Sequence, residues 1–406
     1  MKRITLVCTF LLIVFAFTAC AQQPKGETKT AAAIKTGAEQ TEIYLPLLKG
    51  KRVAILANQT SVIGNETTVD ALLRHKINVV KIFGPEHGFR GNASAGAQVG
   101  DAVDEKTGIK EISLYRKNGT PTNEELSDVD IVIFDVQDVG VRFYTYINTL
   151  QRIMEACAVN KKEVMIFDRP NPNGFYIDGP ILDPKHKSGI GVQPIPIVHG
   201  LTVGEYAQML NGEGWLKDKV KCKITVIKNA NYTHDMPYVL PIKPSPNLNT
   251  AQSILLYPST CLFEGIYLNH GRGTQFPFTV LGAPYLKGIY NFSYTPTGII
   301  GMAETPLFMD EVCYGIDLRN YDTSIFRKTK QINIGWVIEL YKASPQKENF
   351  FKSSLSKQMG TIEKLIGVSD FRQQIIDGKS EKEIRASWEP GLSQYKQMRK
   401  KYLLYP

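Results

Sequence analysis

The stretch VDIVIFDVQDVGVRFYTY, residues 129–146, decides the fold of this chain. Its first half is a short apolar run rich in Val and Ile, which predicts a strand buried on both faces. Similar runs occur at RVAILANQ (52–59), NVVKIF (78–83), EVMIFD (163–168) and CKITVIK (222–228). Helical patterns lie between them at 67–76, 145–159 and 203–211. Buried strands that alternate with helices predict an α/β fold with a Rossmann-like parallel sheet.

The chain has 406 residues, of which 43% are hydrophobic, enough for one large or two medium domains. We predict a Rossmann-like domain over residues 42–265 and a smaller α/β domain over 266–406 that packs against it. Helical patterns in the second part lie near 331–343, 350–366 and 380–401. No GxGxxG follows the first strand, so no dinucleotide is expected.

The N-terminus has the layout of an export signal. Lys2 and Arg3 precede an apolar run from Ile4 to Phe17, which is too short to span a bilayer. The small residues before Cys20 resemble a bacterial lipobox, so we expect a signal peptide over 1–19, a lipidated Cys20 and a flexible tether over 20–41. The alternative is soluble secretion with cleavage near Ala21. The predicted location is a membrane-anchored, periplasmic lipoprotein.

The charge of the chain suggests an anionic partner. The formal net charge of +9 falls to +7 without residues 1–19, because Lys2 and Arg3 leave and no acidic residue does. No basic run with interleaved aromatic residues is present, so nucleic acid is not expected. The cysteines form no CxxC pair and the histidines no HExxH motif, so no metal site is predicted. Cell-wall glycan with carboxylate groups fits the predicted location better.

Charged loops follow three of the predicted strands, at GPEHGFRG (84–91), DVQDVGVRFYTY (135–146) and DRPNPNG (168–174). Ligands of open parallel sheets bind beyond the carboxyl ends of the strands, so these loops are expected to meet at one site. Glu86 is a candidate proton donor because a carboxyl group in a cleft can have a raised pKa. Its alternative roles are to cap the next helix or to pair with Arg90.

Asp135 and Asp168 could serve as a second carboxylate, since glycoside hydrolysis uses two acids. A divalent metal site is the other chemistry that such acids suit. Asp138 adjoins a Val-Gly turn, where bonding to loop amides is expected. From the polar loop residues we predict substrate contacts by Arg90, Gln137, Arg142, Tyr144, Tyr146, Arg169, Asn171, Asn173, His199, Asn247, Asn249, Glu264, Asn269 and Arg272.

These candidates have structural alternatives. An arginine beside an acid or a turn is often an ion-pair partner, although a guanidinium also binds carboxylates in two-point fashion. Tyr144 and Tyr146 could stack on a sugar ring or pack in the core. The asparagines stand in proline-stiffened loops, where their amides bind either hydroxyl and acetamido groups or the local backbone.

Five motifs in order resemble one family, the bacterial exo-β-N-acetylmuramidases of the NamZ type. They are GPEHGFRG, FDVQDVGVRFYTY, DRPNPNG, PSPNLNT (244–250) and EGIYLNHGRGT (264–274), and the resemblance covers roughly residues 42–406. It implies cleavage of the β-1,4 bond after a non-reducing terminal N-acetylmuramic acid of peptidoglycan fragments, without a cofactor. It also implies that the Rossmann-like domain is catalytic, with a cleft between it and the smaller domain. Ile266 and Tyr267 depart from the EGTN pattern of the family, so local contacts are expected to differ.

The resemblance implies that Glu86 is the catalytic acid, because it matches the glutamate of the PEHG motif. In the predicted mechanism His87 orients Glu86, and Asp135 or Asp168 activates water or stabilises charge at the anomeric carbon. A retaining, an inverting and a substrate-assisted route all remain open. Arg169 or Arg272 would bind the lactyl carboxylate. Rival interpretations are a metal-assisted hydrolase or esterase that uses His87, Asp135 and Asp168, and a non-catalytic wall-binding lipoprotein.

Overall fold

A seven-stranded sheet forms the centre of the computed structural model, which describes residues 32–85, 88–89, 100–114, 119–354 and 361–406. The strands in the first part of the chain are β1 (Arg52–Ala57), β2 (Val62–Ile63), β3 (Glu66–Thr67), β4 (Asn78–Gly84), β5 (Ala102–Val103), β6 (Lys110–Ser113), β7 (Ile131–Asp135), β8 (Glu163–Phe167) and β9 (Ile224–Ile227). Strands β2 and β3 form a separate two-stranded ribbon.

The order of the large sheet is β5-β6-β4-β1-β7-β8-β9. All neighbouring pairs are parallel except β5 with β6. The chain therefore builds outward from β1 to β4 and β6, and then returns to build β7, β8 and β9 on the other side. This is the doubly wound Rossmann order, whose switch point lies between β1 and β7. The predicted Rossmann-like α/β fold is confirmed.

The central strands are apolar throughout because the sheet is covered on both faces. Ala54 and Leu56 of β1 contribute to one hydrophobic cluster, whereas Val53 and Ile55 contribute to a second. Strand β7 divides in the same way, and all of its residues are buried. Successive side chains of a strand point to opposite faces, so a continuous apolar run supplies both layers of core.

The helices of the first part are α1 (Thr41–Leu48), α2 (Thr68–Arg74), α3 (Asn123–Ser127), α4 (Tyr146–Val159), α5 (Val203–Gly212) and α6 (Ala251–Thr260). Helix α5 begins with a capping box, in which Thr202 and Glu205 satisfy each other's backbone N–H groups. The helices predicted at 67–76, 145–159 and 203–211 are therefore confirmed to within two residues at each end.

The second part of the chain holds a three-stranded antiparallel sheet in the order β10-β12-β11. Its elements are β10 (Val280–Ala283), β11 (Phe292–Tyr294), β12 (Cys313–Asp317), α7 (Ser324–Thr329), α8 (Gly335–Ala343), α9 (Lys347–Phe350), α10 (Thr361–Ile366), α11 (Phe371–Ile376) and α12 (Glu381–Arg399). Of the helix predicted at 350–366, α10 covers 361–366, residues 351–354 are not helical, and 355–360 lie outside the described residues. Residues 34–406 form one compact unit, and the division at 265/266 stays a prediction.

Four cysteines lie in the described ranges, and all are buried free thiols: Cys157, Cys222, Cys261 and Cys313. The described part of the chain contains no helix that is both long and apolar enough to cross a membrane. The predicted signal peptide and Cys20 lie outside the described residues.

Candidate active site

Polar side chains join the ends of β1 and β7 at the switch point. Asn58 accepts hydrogen bonds from the N–H and the hydroxyl of Thr60, and its own amide donates to the Tyr146 hydroxyl at 3.0 Å. The Thr60 hydroxyl in turn accepts from the backbone N–H of Gln137 at 3.0 Å. Hydrogen bonds thus join the loops that form this crevice, which is where ligands of doubly wound sheets bind.

Asp135 ends β7 as half of a buried ion pair. Its Oδ1 lies 2.7 Å from Nε of Arg169, and its Oδ2 accepts from the Thr68 hydroxyl at 2.6 Å. Burial opposes the charge of Arg169, but Asp135 raises the pKa of the guanidinium overall. Arg169 also donates to the carbonyl of Val62 at 3.3 Å. Both predicted site residues therefore hold strand ends together, and the ion-pair alternative describes their geometry.

Asp168 follows β8 and is fully buried. Its carboxylate accepts from the backbone N–H of Gly204 at 2.9 Å, the Thr202 hydroxyl at 2.7 Å and the Tyr405 hydroxyl at 2.6 Å. Burial raises its pKa to about 6, against the effect of these bonds. Asp168 thus binds the start of α5 and the C-terminal segment through hydrogen bonds. This structural role differs from the predicted contact with water or substrate.

Arg142 is also structural rather than placed for a substrate. Its Nη1 donates to the carbonyls of Pro180 and Ile195 at 2.9 and 2.7 Å, and its Nη2 donates to those of Leu365 and Ile366, both at 2.8 Å. Burial lowers its pKa to about 9. The guanidinium joins the loop after β8 to α10, segments that lie far apart in the sequence.

The amides of the DRPNPNG loop bind backbone groups. Asn171 accepts from the N–H of Asn173 at 2.8 Å, which is an Asx turn, and donates to Leu201 at 2.9 Å. Asn173 donates to Val139 at 2.9 Å and Ile254 at 3.2 Å. Both side chains are buried, so they fix the loop against its neighbours.

Gln137 and His199 likewise form hydrogen bonds with backbone groups of the loops. The Gln137 amide donates to the carbonyls of Asp138 and Pro170, both at 2.8 Å. His199 accepts from the N–H of Leu201 at 3.2 Å, and burial lowers its pKa to about 3. A neutral, buried imidazole at this place supports the loop rather than a charged substrate.

Tyr144 and Tyr146 pack edge to face, with ring centroids 5.0 Å apart. Both are largely buried, which favours the packing alternative over a sugar platform. The Tyr144 hydroxyl donates to the carbonyl of Pro244 at 2.9 Å, and Gln59 donates to the same carbonyl at 3.1 Å. The PSPNLNT loop is therefore attached to the switch point of the sheet.

That loop continues to the second part of the molecule. Asn247 donates to the carbonyl of Met302 at 2.9 Å, and Asn249 donates to that of Gln275 at 3.0 Å. These donors fix the orientation of each amide, and each Oδ1 is buried without a partner among the described residues. The Asn247 acceptor thus belongs to a side chain bonded to Met302, which lines a cavity.

The cavity has a volume of about 230 Å³ and is lined by Asn269, His270, Arg272, Met302, Ala303, Glu304, Thr305, Pro306, Leu307 and Ser354. The turn of the EGIYLNHGRGT motif forms one side and the 302–307 segment forms another. Of the predicted contacts, Asn269 and Arg272 lie in the lining, and Glu264 binds Arg272. The structure brings these three predicted residues together.

Glu264, His270 and Arg272 form one bonded group. Arg272 Nη2 lies 2.7 Å from Glu264 Oε1, and Arg272 Nε donates to His270 Nε2 at 3.1 Å. Burial opposes the charge of Arg272, but Glu264 raises its pKa overall, and burial together with Arg272 lowers the pKa of His270 well below its usual value. Within the ranges that the structure describes, Nη1 of Arg272 has no acceptor.

Asn269 stabilises this turn, and its side-chain polar groups are bonded within the protein. Its amide donates to the carbonyls of Arg272 and Leu307 at 3.1 and 2.9 Å, and its Oδ1 accepts from Gly271 N and the Tyr294 hydroxyl. These four bonds use the full capacity of the side chain. Asn269 therefore sets the separation of two cavity walls.

The departure from the EGTN pattern concerns packing. Ile266 is fully buried in the core. The Tyr267 ring stacks on Tyr285 at 6.5 Å and meets Phe308 edge to face at 5.1 Å.

Glu86, His87 and Arg90 lie outside the described residues, but the flanks of their segment are described. The N–H of Gly88 donates to Pro85 O at 3.0 Å, and the N–H of Phe89 donates to Glu111 Oε1 at 2.8 Å. A Cβ on Gly84 would lie 2.7 Å from that same Oε1, so the close approach requires glycine. Glu111, on β6, thus holds the end of the β4 loop.

Sequence reasoning missed Glu111, Ser354 and the 302–307 segment. None carries a motif, since each reaches the site only through contacts distant in sequence. Within the described ranges, no three His, Cys, Asp or Glu side chains form a group that could hold a metal ion. The expectation of no metal and no cofactor stays a prediction.

Comparisons with known proteins agree with this architecture. Residues 53–252 and 255–405 match the N-terminal and C-terminal parts of the family described as exo-beta-N-acetylmuramidase NamZ. The peptidoglycan beta-N-acetylmuramidase NamZ of Bacillus subtilis (strain 168) is 37% identical, with 100% of both chains covered.

Crystal structures of two DUF1343 family proteins from Bacteroides fragilis NCTC 9343 are also similar. They are 45% and 29% identical to this chain, with TM-scores of 0.84 and 0.75, and each comparison covers 92% of this chain and 99% of the other. The chain belongs to the exo-β-N-acetylmuramidase NamZ family, and the prediction of a glycosidase of that family is confirmed.

Proposed function

We propose that this protein releases N-acetylmuramic acid from the non-reducing end of peptidoglycan fragments by hydrolysis of the β-1,4 bond. The observation that carries the proposal is the cavity of about 230 Å³ beside Arg272. Its size lies below the range of about 300–1,000 Å³ typical of drug-sized ligand sites, which suits one sugar residue. An enzyme that removes terminal residues needs such a limited site.

Glu86 is the proposed catalytic acid, which protonates the departing glycosidic oxygen, and His87 orients it. The support is its motif and the two hydrogen bonds that hold the flanks of its segment, Gly88 to Pro85 and Phe89 to Glu111. A proton donor must be held within hydrogen-bond reach of its acceptor, so a fixed loop end serves this role.

Asp135 and Asp168 act in this proposal through the loops that they hold. Each carboxylate is fully buried and accepts several hydrogen bonds or an ion pair, as described above. A carboxylate that activates water needs an oxygen that can reach the water. The geometry therefore supports a positioning role for both aspartates.

Arg272 is the better-supported partner for the lactyl carboxylate. Arg169 is bound to Asp135 and its side chain is only 3% exposed, whereas the Arg272 side chain is 20% exposed and lines the cavity. Its Nη1 has no acceptor in the described ranges, and Glu264 holds the guanidinium in place. A carboxylate at Nη1 would complete a charge-assisted hydrogen bond.

For the location of the protein, we propose that it is an exported lipoprotein anchored to the membrane through Cys20. It rests on the basic start, the apolar run from Ile4 to Phe17 and the small residues before Cys20. Replacement Cys20→Ser is expected to move the protein from the membrane fraction to the soluble fraction. Unchanged membrane fractionation of the variant would contradict the anchor and leave the hydrolytic proposal intact.

The decisive assay is hydrolysis of 4-nitrophenyl β-N-acetylmuramide beside the corresponding N-acetylglucosaminide. The wild type is expected to cleave the muramide only, with and without a chelator, and Glu86→Gln is expected to lose this activity while it stays folded. Loss of wild-type activity in the presence of the chelator would favour the alternative of a metal-assisted hydrolase or esterase. No cleavage by folded wild type, together with tight binding of the sugar, would favour a wall-binding protein.

A further inference from the structure

One hydroxyl group in the cavity wall lacks the partner that a buried polar atom normally has. Oγ of Ser354 is buried and has no hydrogen-bond partner within the described ranges, although Ser354 N donates to the Glu264 carbonyl at 3.1 Å. The great majority of buried polar side-chain atoms are hydrogen-bonded. An unfilled hydroxyl that lines a cavity therefore indicates a place where a ligand atom, or water in its absence, completes the bond.

The charged side chains around this hydroxyl disfavour an anionic ligand group there. His270 lines the same cavity, and burial and the charge of Arg272 keep its pKa far below its ordinary value, so the ring is uncharged. Arg272 is the cation of the lining, Glu264 already lies 2.7 Å from its Nη2, and Glu304 adds a carboxylate to the same lining. A ligand group beside Ser354 is thus expected to be neutral.

Another part of the same lining is apolar. It consists of Met302, Ala303, Pro306 and Leu307, on a segment that Asn269 attaches to the Arg272 turn through the Leu307 and Arg272 carbonyls. An apolar surface next to one hydroxyl group suits a small group that has both a methyl group and an amide. A charged carboxylate would gain nothing from these side chains.

We propose that this part of the cavity binds the 2-acetamido group of an N-acetylated sugar. The Ser354 hydroxyl hydrogen-bonds to the amide, and the methyl group packs on Met302, Pro306 and Leu307. The inference rests on the proposed function for the identity of the sugar. In N-acetylmuramic acid the acetamido and lactyl groups occupy adjacent ring carbons, so Ser354 and Arg272 Nη1 can each bind one of them in a single cavity.

The test measures calorimetric binding of three sugars to the full chain: N-acetylmuramic acid, muramic acid with a free amine, and N-acetylglucosamine. Wild type is expected to bind N-acetylmuramic acid more tightly than muramic acid. Ser354→Ala is expected to weaken binding of both N-acetylated sugars by about 2- to 12-fold, the value of one neutral hydrogen bond, and to leave muramic acid unchanged. Ser393→Ala, on the exposed face of α12, is the matched control.

Arg272→Gln separates the two groups of the substrate. It is expected to weaken binding of the two sugars that carry a lactyl group more than that of N-acetylglucosamine. The proposal is overturned if wild type binds muramic acid and N-acetylmuramic acid equally or binds none of the sugars, or if Ser354→Ala affects all three alike or none. Acetamido-dependent binding without hydrolysis of any muramide would instead contradict the proposed function and retain this subsite.

Discussion

Glu111 Oε1 accepts a hydrogen bond of 2.8 Å from the backbone N–H of Phe89, which joins β6 to the loop after β4. Phe89 is buried in the same hydrophobic cluster as Val53 and Ile55 of β1, so this contact and the packing of its ring fix the end of the segment that carries Glu86. A side chain with no motif of its own thereby supports the proposed catalytic loop.

Glu111→Ala is expected to lower kcat for 4-nitrophenyl β-N-acetylmuramide by about 10- to 100-fold, because small displacements of a catalytic group are costly. KM is expected to change little, since Glu111 does not line the cavity. Glu111→Gln keeps an oxygen acceptor for Phe89 and should recover most of the activity. Equal kcat for the alanine variant and wild type, with both folded by circular dichroism, would contradict this role.

Asn269→Asp should open the cavity. The substitution replaces the amide N–H groups that bind the Arg272 and Leu307 carbonyls with an oxygen that repels both of them. We expect KM for the muramide to rise at least about 10-fold, which corresponds to the loss of roughly one to two hydrogen bonds. Asn320→Asp, at an exposed position, is the control, and an unchanged KM for the Asn269 variant would refute the bracing role.

Arg142→Met should destabilise the fold because it removes a donor from four buried carbonyls, although that of Ile195 keeps the N–H of Leu182 as a second donor. Methionine is similar in length to arginine, so the loss of stability reflects mainly the lost hydrogen bonds. The free energy of unfolding is expected to fall by about 3 kcal/mol or more. Urea unfolding followed by fluorescence measures this change. Arg52→Met, which removes an exposed arginine paired with Asp130, should leave the transition almost unchanged. Similar unfolding transitions for the two variants would contradict the structural role of Arg142.

Asp138 should make stability depend on pH. Burial raises its pKa from 3.8 to about 7, while the N–H groups of Gly140 and Val139 act in the opposite direction. The folded state therefore binds the proton more tightly than the unfolded state, and stability present below pH 4 is lost as the pH rises toward 7. The buried carboxyl accepts from Gly140 N at 2.6 Å, as expected for a loop aspartate.

Asp138→Asn removes this titration. We expect the difference in unfolding free energy between wild type and variant to shift in favour of the variant as the pH is raised from 4 to 7. Chemical unfolding at several pH values measures the difference, in which the titrations of other groups cancel. A difference that is constant with pH would show that Asp138 has an ordinary pKa.

The positions of the strands and of the polar loops could be predicted from the sequence. The runs at β1, β4, β7 and β8 are apolar because both faces of the sheet are covered, and this burial leaves a direct trace in composition. The same pattern places the loops at one edge, and motif resemblance identifies Glu86. The fold class and the family resemblance follow from information that is local in the chain.

Only the tertiary structure decided which polar residues are available to a ligand. Asp168 and Arg169 look like site residues in DRPNPNG, but Tyr405 and Asp135, both distant in sequence, occupy them. Arg272 and Ser354 keep unfilled polar atoms at the cavity. A side chain is free or occupied according to the partners that folding brings within hydrogen-bond distance, and residue type and spacing do not record those partners.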